Sequence, residues 1–427
     1  MNNLSKTDLI NIVVIGFAIF SMLFGAGNVV FPPYLGFLAR ESWFVAFIFY
    51  FISDIGLGML TFVSIYKSGS PDNVAFQVGK FWGTALMITI MLCLGPLVVF
   101  PRTAATAFEM SIIPLFPNVS RIIFSIIYCL LAVLLCIKQS KVVDIVGKFL
   151  TPALLIGLLL LIIAGIINPA LTTTLPPIDN IIEKSIKDGY QTLDALASLI
   201  FGAILYLSIR NKGYTKDEDI GKILVYSSLL ASILLFIVYG GLCYLGAFSS
   251  PDNSISISRA DLLISIVQNL MGKTGLSIFA IVVFLACLTT GIAVQTSTAK
   301  YFSELSKGKI SYKVFCVIIS LWGAITANIG LDAIVAFAAP LLDLVYPPFL
   351  VLIIKIVFFP RINQKVVYAS AITATTISTL NIINQHIYPI NIMTKLPMHN
   401  LGLDWFIPTL VVMAICLIFK RQPQENQ

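Results

Sequence analysis

The chain has 427 residues, of which 58% are hydrophobic and only 11% charged, with a formal net charge of +7. That leaves too little polar surface to cover a soluble globule of this size. Runs of about 20 apolar residues, enough to cross roughly 30 Å of hydrocarbon, recur from end to end, and predict an all-α polytopic membrane protein with twelve spans and no soluble domain.

Span 1 covers residues 9–38. It lacks a strongly basic start and a small-residue cleavage site and so reads as a retained helix. At residues 24–33 it carries FGAGNVVFPP: two glycines, an asparagine and two prolines at mid-bilayer. This composition predicts an interrupted helix, whose freed N–H and C=O groups each cost several kcal/mol in lipid unless something polar meets them. A half-helix starting near Val29 turns a partly positive end to the midplane, and free N–H groups of Ala26 and Gly27, beside Gly25, suit a carboxylate. The other half ends in carbonyls, roughly Ser21, Leu23 and Phe24, that suit Na⁺ or an ammonium group, and Asn28 adds a neutral oxygen. One break thus offers both poles of a zwitterion.

Span 2 (43–66) contains Asp54, readable as an ion-linked or proton-linked group or as a hydrogen-bonding partner for a neighbouring helix. Span 3 (83–108) reads LGPLVVFPRTAATAFEM from residue 94. Its Arg102 either pairs with Asp194 or Glu109 in an outer gate or snorkels to the headgroups. Spans 4 (119–138) and 5 (143–167) follow, with Asp144 and Lys148 spaced to pair at the cytoplasmic face. Span 6 (188–209) contains SLIFGAILY, so Phe24-Gly25-Ala26 recurs as Phe201-Gly202-Ala203, an offset of 177, and the same offset applied to span 2 lands near the start of span 7 (219–248). Five spans separate the copies, so the halves enter the membrane from opposite sides as an inverted repeat, 9–167 and 188–359. Interrupted segments at equivalent positions of such halves point to a transporter's binding site, and the second interruption is expected within Ser198–Gly202.

Span 8 (274–303) holds Ala286-Cys287-Leu288-Thr289-Thr290. The Ala286 carbonyl and the two hydroxyls either surround a hard cation or satisfy their own helix. Span 9 covers 311–328. Span 10 (330–359) is overlong and contains Asp343 with Pro340, Pro347 and Pro348, where a kink or break is expected. Spans 11 (364–384) and 12 (403–420) complete the count. With both termini inside, nineteen of the 27 Lys and Arg lie at cytoplasmic ends and seven outside, Arg102 remaining within a span. This bias supports an even span number, and the net charge reports topology rather than affinity for nucleic acid. The seven cysteines lie in or at the ends of spans without a CxxC pair, and read as free, buried thiols.

FGAGNVVFPPYLG, LGPLVVFPRTAATAFEM and LACLTTGIA together resemble the branched-chain amino acid:cation symporter family, the BrnQ-type carriers, over essentially the whole chain. The resemblance implies a LeuT-like 5 + 5 inverted repeat with discontinuous helices 1 and 6, followed by two additional helices at 364–420. It also implies a bundle of spans 1, 2, 6 and 7 that rocks against the remainder. Carried over by residue, it places one Na⁺ on carbonyls of Ser21, Phe24 and Ala286 with hydroxyls of Thr289 and Thr290. Substrate carboxylate falls on Ala26 and Gly27, an additional ion on Asn28, and in span 6 Ser198 faces the break while Phe201 walls the side-chain pocket with Gly202 beside it. Leu196 replaces a hydroxyl residue at the other sodium site, which favours one Na⁺ over two.

The function implied is Na⁺-coupled uptake of leucine, isoleucine or valine in a bacterial cell membrane, with no organic cofactor. A proton-coupled or other neutral amino acid carrier of the same fold is the alternative, and a non-transporting amino acid receptor a further one. A membrane-embedded enzyme is set aside, because there is no HExxH and both histidines, His386 and His399, sit near or in the 11–12 connection.

Overall fold

The computed structural model describes residues 5–137, 141–168, 176–249 and 257–420, and among them there are helices and turns but no strand. A reciprocal cap between Ser5 and Asp8 starts α1 (Lys6–Leu23). The helix stops there: Phe24 takes ψ 85° and Gly25 is extended before α2 (Ala26–Ala39) resumes. Span 2 is α3 (Trp43–Phe51) and α4 (Leu57–Ser68), joined by a π-helical turn at Ile52–Gly56 that contains Asp54. A short α5 (Pro71–Ala75) leads into span 3, built from α6 (Lys80–Leu92) and α7 (Val99–Ala107) around a distortion at Gly95 and Pro96.

Spans 4 and 5 are α8 (Arg121–Ile137) and α9 (Lys141–Ile167). Span 6 is α10 (Ile181–Thr192) and α11 (Asp194–Asn211), and span 7 is α12 (Asp217–Ala247). In α13 (Arg259–Leu305), Gly272 at φ 65° separates an outer arm from span 8. Then follow α14 (Tyr312–Thr326), α15 (Leu331–Phe358), α16 (Gln364–His386) and α17 (Phe406–Lys420). Counting each interrupted pair once gives twelve candidate crossings among the described residues. The outer face of α8 shows why they need lipid: Ile122, Ile123, Ile126, Ile127, Leu130 and Leu134 are all exposed, while Tyr128, Cys129 and Ala132 are buried.

Packing displays the repeat. The single helix α12 runs along both halves of span 1, while span 2 runs along both halves of span 6, α3 on α10 and α4 on α11. Exchanging span 1 with 6 and 2 with 7 converts one pairing into the other. At α2 and α12 the backbones themselves touch. A Cβ on Gly36 would stand 1.8 Å from the Cys243 carbonyl oxygen, and one on Gly246 1.8 Å from that of Pro33, so only glycine fits.

Two expectations need correction. The second interruption lies at Leu193, in the left-handed region at φ 63°, and α11 is wound continuously through Ser198–Gly202. Gly202 is there for close packing: a Cβ would meet Phe62 and Ile65 of α4 at 3.2 Å. The recurrence of Phe-Gly-Ala therefore does not align the two breaks. Likewise α15 continues through Pro340, Pro347 and Pro348 without a break, since in an apolar setting the remaining ladder has no competing water. All seven cysteines are free and six are buried. The Asp144–Lys148 pair lies outside the residues whose side chains are described.

Candidate functional site

The two interruptions meet. A small cavity of about 20 Å³, room for one water, is lined from span 1 by Met22, Leu23, Gly25, Ala26, Gly27 and Asn28 and from span 6 by Thr192, Leu193, Asp194, Ala197 and Phe201. Span 3 contributes Leu94, Val99 and Arg102, and span 8 Thr290 and Val294. Because the spans run antiparallel, the N-terminal end of α2 and the C-terminal end of α10 both point into this space. One end is partly positive and the other partly negative.

At the first interruption the chain satisfies itself. The Phe24 N–H donates to Phe20 O at 2.8 Å, and the Gly25 N–H turns to Leu23 O at 3.0 Å and Asn28 Oδ1 at 3.4 Å. The Asn28 amide then donates to Asp194 Oδ2 and to the Tyr239 hydroxyl, each at 2.6 Å, which ties spans 1, 6 and 7 together. Gly25 is close to Thr290, whose methyl and hydroxyl would stand 3.3 and 3.6 Å from a Cβ there.

At the second interruption the Leu193 N–H donates to Tyr190 O at 3.1 Å, and partners from other spans join these local bonds. Arg102, 2% exposed, donates from Nη1 to Gln191 O at 2.5 Å and from Nη2 to Thr192 O at 3.2 Å. The Thr192 hydroxyl lies 2.8 Å from Asp54 Oδ1 and 2.7 Å from Gly189 O, and accepts the Asp194 N–H at 3.3 Å. Asp54 and Asp194 thus belong to one buried hydrogen-bonded cluster through Thr192. Two buried acids and one guanidinium therefore share the centre of the protein.

The residues singled out in the sequence divide as follows. Leu23, Gly25, Ala26, Gly27, Asn28, Arg102, Asp194, Phe201 and Thr290 line the cavity, and Asp54 is one hydrogen bond behind it. Phe24 stacks on Phe20, and the Thr289 hydroxyl donates to Ala286 O at 3.0 Å. Ser21 belongs to the last turn of α1. Leu196, Ser198 and Gly202 are buried in α11 off the cavity, with Ser198 against Gly58 of α4. Arg102 forms an ion pair with neither proposed partner: Glu109 is held by Arg121 at 3.0 Å. Asp343 lies 3.8 Å from Lys187, and His399 is engaged by Asp404 at 2.7 Å, both away from the cavity. Sequence reasoning missed Thr192, Leu193 and Tyr239. A tyrosine in the apolar run of span 7 was the available signal for the last.

The model of the family described as "Branched-chain amino acid transport protein" matches residues 8–423. The branched-chain amino acid permease BrnQ of Bacillus subtilis is 32% identical over 425 residues, covering 95% of this chain and 96% of that protein. BrnQ of Escherichia coli K12 is 29% identical over 424 residues, 96% of each. These relatives are named as permeases rather than enzymes. Among solved structures, the inward-facing conformation of Mhp1 aligns with a TM-score of 0.58 at 11% identity, covering 95% of this chain and 91% of that one. At that identity the likeness is one of fold.

Proposed function

The chain belongs to the branched-chain amino acid transport protein family, and on that premise we propose that it is a Na⁺-coupled symporter carrying leucine, isoleucine or valine into a bacterial cell by alternating access. The meeting of the Phe24–Gly25 and Leu193 interruptions at one small cavity carries this reading. A zwitterion matches the two helix ends: its carboxylate suits the α2 terminus, and its ammonium the α10 carbonyls with Asp194. Leu94, Val99, Ala197, Phe201 and Val294 form apolar walls for the side chain, each buried CH₂ contributing about 0.8 kcal/mol. One methylene discriminates by only ~1–3 kcal/mol, so the three cargoes compete.

The cavity is too small for leucine, so entry requires the helices around it to separate. Both termini face the cytoplasm in this reading. The pairs Arg259 with Asp332, Arg121 with Glu109 and Lys187 with Asp343 then close the outer face. Na⁺ sits among the Ser21 and Phe24 carbonyls, the Ala286 carbonyl and the hydroxyls of Thr289 and Thr290. The approach of Thr290 to Gly25 supports that placement, because a cation there bonds span 1 to span 8 and fixes the arrangement that presents the substrate site.

Leucine uptake into proteoliposomes tests the reading. An inward Na⁺ gradient should drive accumulation, and choline in place of Na⁺ should abolish it. No leucine flux under any gradient overturns the proposal. A second reading, proton coupling, draws on the cluster that joins Asp54 and Asp194: with Arg102 the nearby cation, these two acids leave room for one more positive charge. Uptake driven by a pH gradient in Na⁺-free buffer decides for it.

A further inference from the structure

Arg102 is the one charged group in this cavity wall whose position the transport reading leaves unexplained. Its guanidinium lies against the first turn of α2, where a Cβ on Gly27 would stand 2.9 Å from Nη2 and 3.2 Å from Cζ. A full positive charge beside the partly positive end of a 14-residue helix is electrostatically uphill unless an anion comes between them. Asp54 and Asp194 share the buried cluster, yet among the described residues no acid forms an ion pair with Arg102. Its buried Nε has no hydrogen-bond partner. Two of its five N–H groups are spent on the Gln191 and Thr192 carbonyls, the positions where an ammonium group would bind.

We propose that Arg102 exchanges partners during transport: in this closed arrangement it caps α10 in place of a substrate ammonium, and on loading it turns to the substrate carboxylate at the N-terminal end of α2. The α-ammonium then takes over the Gln191 and Thr192 carbonyls. Net charge in the cavity is unchanged, since a zwitterion adds none, and no buried carbonyl is left without a donor at the end of the exchange. The step rests on the amino acid reading above and adds a requirement to it. A ligand with an ammonium but no carboxylate gives Arg102 nothing to turn to, and must compete with it for the α10 carbonyls.

The test is equilibrium competition against labelled leucine on the purified, full-length protein at fixed Na⁺, with leucinamide as the carboxylate-free probe. The wild type should prefer leucine over leucinamide by roughly 10- to 100-fold, the range expected for hydrogen bonds to a charged partner. In Arg102→Gln the preference should collapse to within about threefold, chiefly through weaker leucine binding, and Arg102→Lys should retain part of it. A merely structural role lowers both affinities and leaves their ratio in place, so a wild-type ratio in Arg102→Gln overturns the exchange. The wild-type measurement stands even where the variant fails to fold: equal affinity for leucine and leucinamide overturns the exchange by itself. Absence of leucine binding to the wild type overturns the amino acid reading instead.

Discussion

The first and sixth spans are both interrupted at the same cavity, yet they are built on different plans. The break at Phe24–Gly25 is closed by neighbours in sequence, through Phe20, Leu23 and Asn28. The break at Leu193 contains no glycine, and to its local bonds, Leu193 N–H to Tyr190 O and the Thr192 hydroxyl to Gly189 O, it adds donors of Arg102 from span 3 and a bond from Thr192 to Asp54 of span 2. A left-handed leucine costs about 1–2 kcal/mol, and tertiary hydrogen bonds offset it. The first break is thus a property of its own segment, and the second a property of the assembled bundle.

The widest separation between the two plans should come from Arg102→Ala. It strips both donors from the α10 end, each orphaned carbonyl costing ~1–3 kcal/mol, so leucine uptake should fall by about 100-fold or more and the melting temperature should drop. Uptake above a tenth of wild type would show that the second break, too, supports itself. Next comes Gly27→Ala, whose new methyl meets Arg102 Nη2 at 2.9 Å and Phe31 at 3.3 Å. Transport should fall by roughly tenfold or more with membrane insertion unchanged.

Asn28→Ala removes two 2.6 Å bonds, one linking the breaks through Asp194 and one reaching Tyr239 of span 7. At ~1 kcal/mol or somewhat more per bond, uptake should drop about tenfold. Thr290→Ala and Thr289→Ala should each raise the Na⁺ concentration for half-maximal uptake, by roughly three- to tenfold for Thr290. Unchanged values in both would leave those hydroxyls satisfying their own helix. Smallest is Ser198→Ala. Its hydroxyl is buried without a partner, off the cavity, and uptake within about twofold of wild type is expected, as for removal of an unpaired polar group. A large loss would move the working part of span 6 back toward Ser198–Gly202.

What could be read from the sequence follows the same division. Gly25, Gly27 and Asn28 are poor helix formers clustered in an apolar run, so local composition announces the first break. No glycine or proline announces Leu193, and the Arg102 donors on the neighbouring Gln191 and Thr192 carbonyls come from about 90 residues away. Gly202 misled for a related reason: a glycine in a membrane helix serves close packing as readily as unwinding, and only the contact with Phe62 and Ile65 tells which. The three prolines of α15 overstated a break, whereas Gly95 and Pro96 distort span 3 inside a motif that had been noted only for family likeness. The membrane class and the twelve crossings were legible because burial in lipid needs only apolar length.

The paired glycines Gly36 and Gly246 have a mechanical consequence. With main chain pressed on main chain, α2 and α12 have no side-chain layer to slide on and must travel as one rigid body. The contact of α1 on α12 is less close: a Cβ on Gly16 would stand 2.9 Å from the Leu230 side chain and 3.1 Å from the Ser227 carbonyl oxygen. Any motion of α1 relative to this body is taken up at the hinge between Phe24 and Gly25, where the helix is interrupted.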